Sequence, residues 1–593
     1  MSTYTPPLKD ASFVLDQLIG LNQLCEKLQL EDINTELATV IIEEAGKLAS
    51  DILAPLNSVG DEKGSSVSAG KVQETAGFAD AYQQFVENGW ATLTGPEEFG
   101  GQNLPNVIGT AVNELWHSSN MSFALCPMLS QGAVEALIAH GSEILKAHYL
   151  PPLISGEWTG TMNLTEPNAG SDLAAVAAKA KPEGDHYKIS GQKIFITWGD
   201  HQMTSNIVHL VLARLPNAPA GVKGISLFIV PKYCLDEQGQ PAELNDVSCI
   251  SLEHKMGIHG SPTCVMSFGD NDGAIGYLVG EENKGLSYMF TMMNHARQAV
   301  GLQGLSISER AYQQALQYSQ ERFQGSRRDG QKIAIIDHPD VRRMLMAMKA
   351  GNEAMRALAY SAAADIDHAH SGDEAAKARV ELYTPIVKGW MTELAQELTS
   401  LNIQVHGGMG FIEETGAAQH YRDARILPIY EGTTGIQALD LIGRKTLLDK
   451  GMALKALHAD INETLNQLTA SDNKQLQALQ HPLKVALESA VSAGDWILEN
   501  TADDPQTMGN VSFDNLMMMG YLTGGWLLAR SALLANKLIT QENPYGDPFL
   551  QGKIATASFY AEHYLPRVKQ HADTVLTGLS NTFALDIEQM QGV

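Results

Sequence analysis

The chain has 593 residues, of which 44% are hydrophobic and 18% charged, enough apolar material for roughly four globular units of about 150 residues. Its 41 basic and 68 acidic side chains give 41 − 68 = −27. Such a surface repels nucleic acid and anionic lipid, which argues against binding through a general basic field but not against an anionic small ligand held by a few local Arg and Lys.

The five cysteines, Cys25, Cys126, Cys234, Cys249 and Cys264, are scattered and never form a C-x-x-C pair. This argues against a disulfide framework or a zinc cluster and fits a reducing compartment. The opening "MSTYTPPLKDASF" has no basic stretch followed by an apolar core. The most hydrophobic run, "LMMMGYLTGGWLLA" at 516–529, is shorter than the ~20 residues a spanning helix needs. A cytoplasmic protein without a transmembrane segment is expected.

Residues 1–155 read as helical: Leu15, Leu18 and Ile19, then Leu37, Ile41 and Leu48, recur at helix-like spacings. The Gly- and Ser-rich stretch 57–78 is the exception and reads as a long ordered loop or a partly mobile segment. Between 156 and 280 the pattern becomes β-like. "HYKISGQKIFITW" offers two short runs joined at Ser190-Gly191, a hairpin signal, and "IVHLVLARL", "GISLFIVPK" and "CVMSFGD" are further strand candidates. A small barrel or sandwich is expected there. Helical stripes return over 281–447, with Val300, Ile307, Ala311, Ala315 and Tyr318 on one face, implying a bundle. A further helical block fills 448–593, with a polar break at 500–515.

Four segments carry possible chemistry. "MNLTEPNAGSDL" (162–173) has turn residues whose hydroxyl and N–H groups suit polar ring edges or phosphate, and it equally suits an ordinary surface loop. In "KIFIT" (193–197), Phe195 and Thr197 share a strand face by the period of two, fit either to line a flat heterocycle or to pack against a helix. "QVHGGMGF" (404–411) permits a helix C-cap and close backbone approach; it is not a dinucleotide fingerprint, and His406 reads as structural. In "RDARILPIYEGTTGIQ" (422–437), Thr434 to Gln437 form a capping-box pattern. Glu431 just before it either complements the helix dipole or acts as a general base.

Taken together and in this order, "LTEPNAGSD", "GQKIFITWG", "NHARQAVGLQGLSISERAYQQALQYSQER", "QVHGGMGF" and "RDARILPIYEGTTGIQ" resemble the acyl-CoA dehydrogenase family over roughly residues 40–446. The segment 57–78 and the block after 447 resemble its larger bacterial branch, which includes 3-(methylthio)propanoyl-CoA dehydrogenases and fatty acyl-CoA dehydrogenases. The resemblance implies an α+β, mainly helical fold: a helical N-terminal domain, a middle β-domain and a C-terminal helical bundle, plus an additional helical domain. It implies non-covalent FAD between the β-domain and the bundle, and oxidation of an acyl-CoA to the trans-2-enoyl-CoA in lipid metabolism. Glu431 then matches the base that removes the α-proton, with a hydride passing to flavin N5.

By the same resemblance, Leu164, Thr165, Gly170, Ser171, Phe195, Thr197 and Thr433 match flavin contacts. Ser171, Asn294, Arg297 and Gly432 match the substrate side. Arg322 matches the group that reaches the FAD pyrophosphate of a neighbouring subunit, and Gln404 and Gly408 match the adenine half across that interface. The protein is therefore expected to be at least a homodimer that passes electrons to an electron-transfer flavoprotein. Gly435 departs from a Gln common in the family, and Phe195 replaces Trp while keeping an aromatic face. The alternatives are an acyl-CoA oxidase of the same fold and, against the acidic charge, a flavin-bearing DNA-associated protein.

Overall fold

The β-type runs between 158 and 279, several of them buried on both faces, build an eight-stranded sheet. Its path runs Val247–Leu252, Thr263–Phe268, His186–Thr197, Ala274–Val279, Ile225–Pro231, Asn206–Arg214 and Trp158–Asn163, with Lys179–Glu183 pairing both His186–Thr197 and Asn206–Arg214. That last strand closes a ring of five through the single pair Lys179↔Arg214, so the expected small barrel is present. The barrel core gathers Ile189, Ile196, Val211, Phe228, Val230 and Phe268.

The computed structural model describes residues 3–68 and 70–592. The chain folds as two compact units: one of Met1–Glu43, Asn106–Glu114 and Val300–Val593, the other of Glu44–Pro105 and Leu115–Ala299. The second unit carries the barrel and helices such as Met121–His140, which docks closely on a strand. A Cβ at Gly160 would lie 2.5 Å from the Ala133 Cβ, and Gly160 N–H donates to Ser130 Oγ at 3.0 Å. Met121–His140 is the one described helix long and apolar enough to cross a membrane; 83% of its apolar window is buried, as a core helix would be.

Three sequence expectations change here. Ser190-Gly191 is no hairpin turn: His186–Thr197 is one twelve-residue strand. Gly191 (φ 141°) lies where a Cβ would come within 2.9 Å of Ala178, so the glycine serves a close backbone approach. Much of 57–78 is regular structure rather than loop, with helix Ala54–Lys63 followed by the paired strands Ser66–Ser68 and Lys71–Gln73. Val72 anchors that pair by joining the barrel core. The polar break at 500–515 shrinks to a few residues, because helix Pro505–Ile539 starts on Pro505 with Asp504 accepting from the N–H groups of Gln506 and Thr507.

In the first unit the bundle and the C-terminal block share one core. Helix Pro505–Ile539 packs on Glu374–His406 so tightly that a Cβ at Gly520 would fall 2.0 Å from Trp390, and one at Gly389 would fall 2.5 Å from Leu516. Arg356, almost fully buried, pairs with Glu114 (2.6 Å), Glu309 (3.2 Å) and Asp10. Lys553 joins the network from the C-terminal block through Asp10 and Glu353.

Candidate active site

In the barrel unit, the expected flavin contacts lie on two neighbouring segments fastened by a buried ion pair. Lys193 is wholly inaccessible, and its Nζ donates to Glu166 Oε1 at 2.7 Å and to the Leu164 carbonyl at 3.1 Å. Glu166 also accepts from the backbone N–H groups of Ala177 (2.7 Å) and Ala178 (3.0 Å). Burial lowers the Lys193 pKa to about 8, against the opposing pull of Glu166. Ile194 N–H donates to the Thr165 carbonyl at 2.9 Å, and a tight turn links Glu166 with Ala169. The loop bearing Leu164, Thr165, Gly170 and Ser171 is thus sewn onto the strand bearing Phe195 and Thr197. Leu164 is buried, while Gly170 and Ser171 are exposed.

Phe195 breaks the strand's alternation. Its φ is +60°, the register against Thr263–Phe268 shifts beside it, and its ring is 57% exposed. The simple period that paired it with Thr197 therefore does not hold across this residue; a bulge re-aims the ring outward. Trp198 also has positive φ, but its buried indole donates to the Ser122 carbonyl at 3.0 Å and stacks on Phe78. Two strained residues within four positions mark a place where conformation is held by its surroundings, a common property of functional sites. On helix Gly285–Glu321, Asn294 is exposed, and Arg297, buried, donates to its Oδ1 at 3.2 Å.

In the bundle unit, Glu431 is half-buried with φ +55° and is followed by Gly432 at φ +92°. The cap lies one residue earlier than the sequence pattern indicated. Thr433, not Thr434, is the N-cap, accepting from Ile436 N–H at 3.3 Å, so the Thr433 hydroxyl has a structural duty besides any flavin contact. Thr434 instead donates to Glu393 Oε1 at 2.6 Å, and Gln437 Nε2 donates to the carbonyls of Glu431 (3.4 Å) and Gly432 (3.5 Å). Tyr430 donates a short hydrogen bond to the fully buried Gln303. Burial, then the charges of Glu431 and Asp423, push the Tyr430 phenol well above its ordinary pKa, so it remains a donor. The side-chain cap of this helix is the Thr433 hydroxyl.

Arg322 is exposed and has no ion pair among the described residues; Gln404 and Gly408 are exposed too. Gly407 takes φ +61° at the end of helix Glu374–His406. His406 stacks on Tyr318 with ring centroids 4.2 Å apart and donates Nδ1–H to the Asn402 carbonyl, a structural role as expected. Motif reading missed Lys193, Glu166, Gln303 and Glu393. None of the four stood out locally: Lys193 lies in a strand that also carries Lys188 and Gln192, so its burial shows only in the fold.

Family models match the chain in series: the acyl-CoA dehydrogenase N-terminal domain at 61–157, the middle domain at 161–271 and the C-terminal domain at 283–447, then an acetyl-CoA dehydrogenase C-terminal-like domain at 457–586. The chain belongs to the acyl-CoA dehydrogenase family. Its full-length relatives place it in the larger bacterial branch. It is 46% identical to the 3-methylmercaptopropionyl-CoA dehydrogenase of Ruegeria pomeroyi, covering 97% of this chain and 99% of that one. It is 35% identical to a butyryl-CoA dehydrogenase of Syntrophomonas wolfei, covering 95% of each. Among solved structures, an acyl-CoA dehydrogenase complexed with FAD from Bacillus anthracis shares the fold at TM-score 0.74 and 22% identity, over 95% of this chain and 91% of that one.

Proposed function

We propose that this enzyme oxidises an acyl-CoA thioester at the α,β position to the trans-2-enoyl-CoA, with FAD as cofactor and Glu431 as base. The observation that carries the role of Glu431 is that its backbone is held at positive φ immediately before the Thr433 cap, at the start of the helix. The residues present fit a flavin. Phe195 offers an exposed aromatic face on a rigid strand, and Thr165 and Ser171 bring hydroxyls on the loop pinned beside it. Arg322 offers an exposed guanidinium with no carboxylate partner among the described residues, suited to a pyrophosphate.

Bound FAD supplies the hydride acceptor, at N5. Glu431 accepts the α-proton, and its own backbone N–H donates to the thioester oxygen as enolate-like charge develops there. Asn294 and Arg297 order the thioester end, with Gly432 beside it. Leu164, Gly170, Thr197 and Thr433 complete the cofactor contacts, and Gln404 and Gly408, with Arg322, serve the adenine and phosphate half of a neighbouring subunit. The protein then works as at least a homodimer in the cytoplasm, in acyl-CoA β-oxidation, and passes electrons to an electron-transfer flavoprotein. The four stretches 1–155, 156–280, 281–447 and 448–593 are its working domains.

The substrate is sought with an anaerobic titration of the flavin-loaded protein against acyl-CoA esters of increasing length, 3-(methylthio)propanoyl-CoA included. The expected result is bleaching of the flavin by a subset of them, with slow reoxidation in air. Bleaching by none contradicts the reading, and fast reoxidation with peroxide assigns an oxidase instead.

A further inference from the structure

A cleft of about 560 Å³ opens inside the first unit, walled by helices of both the bundle and the C-terminal block. Its size is that of a small-molecule site. Leu18, Leu527 and Leu534 give it apolar walls, and Arg530 gives it a cation. The Arg530 guanidinium lies 5.2 Å from the ring centre of Trp526, whose own N–H donates to Thr464 at 2.8 Å. Arg530 has no hydrogen bond or ion pair among the described residues. The one acid deep in the cleft, Asp365, is taken up by a forked contact from Arg379 at 2.6–3.1 Å. Burial lowers the Arg530 pKa; Tyr383, Asp460, Asp365 and Glu463 pull it back without touching it. A half-buried guanidinium that lines the cleft with its fork unused is a ready anchor for an anion.

The other charges say which anion. Asp460 and Glu463 are exposed along the same cleft. With Asp365 they make three acids against the three strong bases Arg379, Arg530 and Lys537, so the cleft is neutral overall. One negative charge is welcome at Arg530, whereas a phosphate ester or another polyanion meets Asp460 and Glu463 unshielded. We propose that this cleft binds a monoanionic amphiphile, a carboxylate on Arg530 with an aliphatic tail along Leu527, Leu534 and Leu18. The proposal is independent of the flavin chemistry.

Calorimetric titration of the holoenzyme with octanoate tests it, with inorganic phosphate and ATP as controls. Octanoate binds saturably and quenches Trp526 fluorescence, while phosphate and ATP do not compete. Arg530→Met weakens binding by about tenfold or more, as loss of a charge-assisted fork implies, and leaves acyl-CoA turnover unchanged. Leu534→Trp, which fills the cleft from the apolar wall, abolishes binding as well. Absence of saturable binding, equal binding in both variants, or displacement by phosphate overturns the proposal.

Discussion

Glu431 does not hold its position alone. The residue before it, Tyr430, is tied to Gln303, and the carbonyls of Glu431 and Gly432 are both within reach of Gln437. The backbone between these ties runs through two consecutive positive-φ residues, one of them not glycine. Such a conformation costs on the order of 1–3 kcal/mol and persists only when its neighbours enforce it. Gln303→Leu strands the buried Tyr430 hydroxyl and releases that constraint, at about 1–3 kcal/mol. The expected outcome is a fall in kcat with KM and flavin content nearly unchanged, measured by steady-state kinetics. An unaltered kcat means that Tyr430 does not position the base. Glu431 was legible in the sequence as an acid beside a cap. Its strain was not, because a backbone dihedral leaves no mark on a motif that reads Tyr-Glu-Gly-Thr.

At the scale of elements, the barrel is stitched by neutral histidines. His201 and His209 are fully buried, bonded to Thr159 (2.9 Å) and Thr161 (2.7 Å), and burial lowers both pKa values to about 3. Their unfolded value is 6.5, so below pH 6.5 the unfolded chain takes up protons that the folded barrel refuses. Stability is therefore intact above pH 6.5 and declines as the pH falls toward 3, by about 1.4 kcal/mol per unit for each histidine. Hydrogen exchange of the strands Trp158–Asn163 and Asn206–Arg214 at stepped pH should show protection falling through that window, and less steeply in His209→Gln. Protection that stays constant to pH 4 contradicts it. Strands with strong apolar runs, such as Ile225–Pro231, were readable from sequence. The unity of His186–Thr197 was not, since Ser-Gly spells a turn locally and only the close approach of Ala178, just before the strand Lys179–Glu183, gives the glycine its purpose.

For the molecule as a whole, the order helices, strands, helices, more helices was plain from periodicity. What the block 448–593 does was not, because its partners lie hundreds of residues away in sequence. Trp390 sits against Gly520, Leu516 against Gly389, and Lys553 reaches Asp10 and Glu353. This places the block in the core of its unit rather than outside it. A chain ending at 447 should be insoluble or unfolded by circular dichroism. Lys553→Met takes one cation from the network while Arg356 still pairs Asp10 and Lys349 still pairs Glu353, and it should cost about 1–3 kcal/mol in chemical denaturation. A truncated chain that stays folded and binds flavin would show the block to be dispensable.

Replacing Glu431 by Gln keeps size and hydrogen bonding while removing the base, and the anaerobic mixing of this variant with a substrate acyl-CoA is the most direct measurement. Flavin remains bound at the wild-type ratio, acyl-CoA still perturbs its spectrum, and bleaching is slowed by several orders of magnitude. Full bleaching at the wild-type rate would remove Glu431 from the reaction.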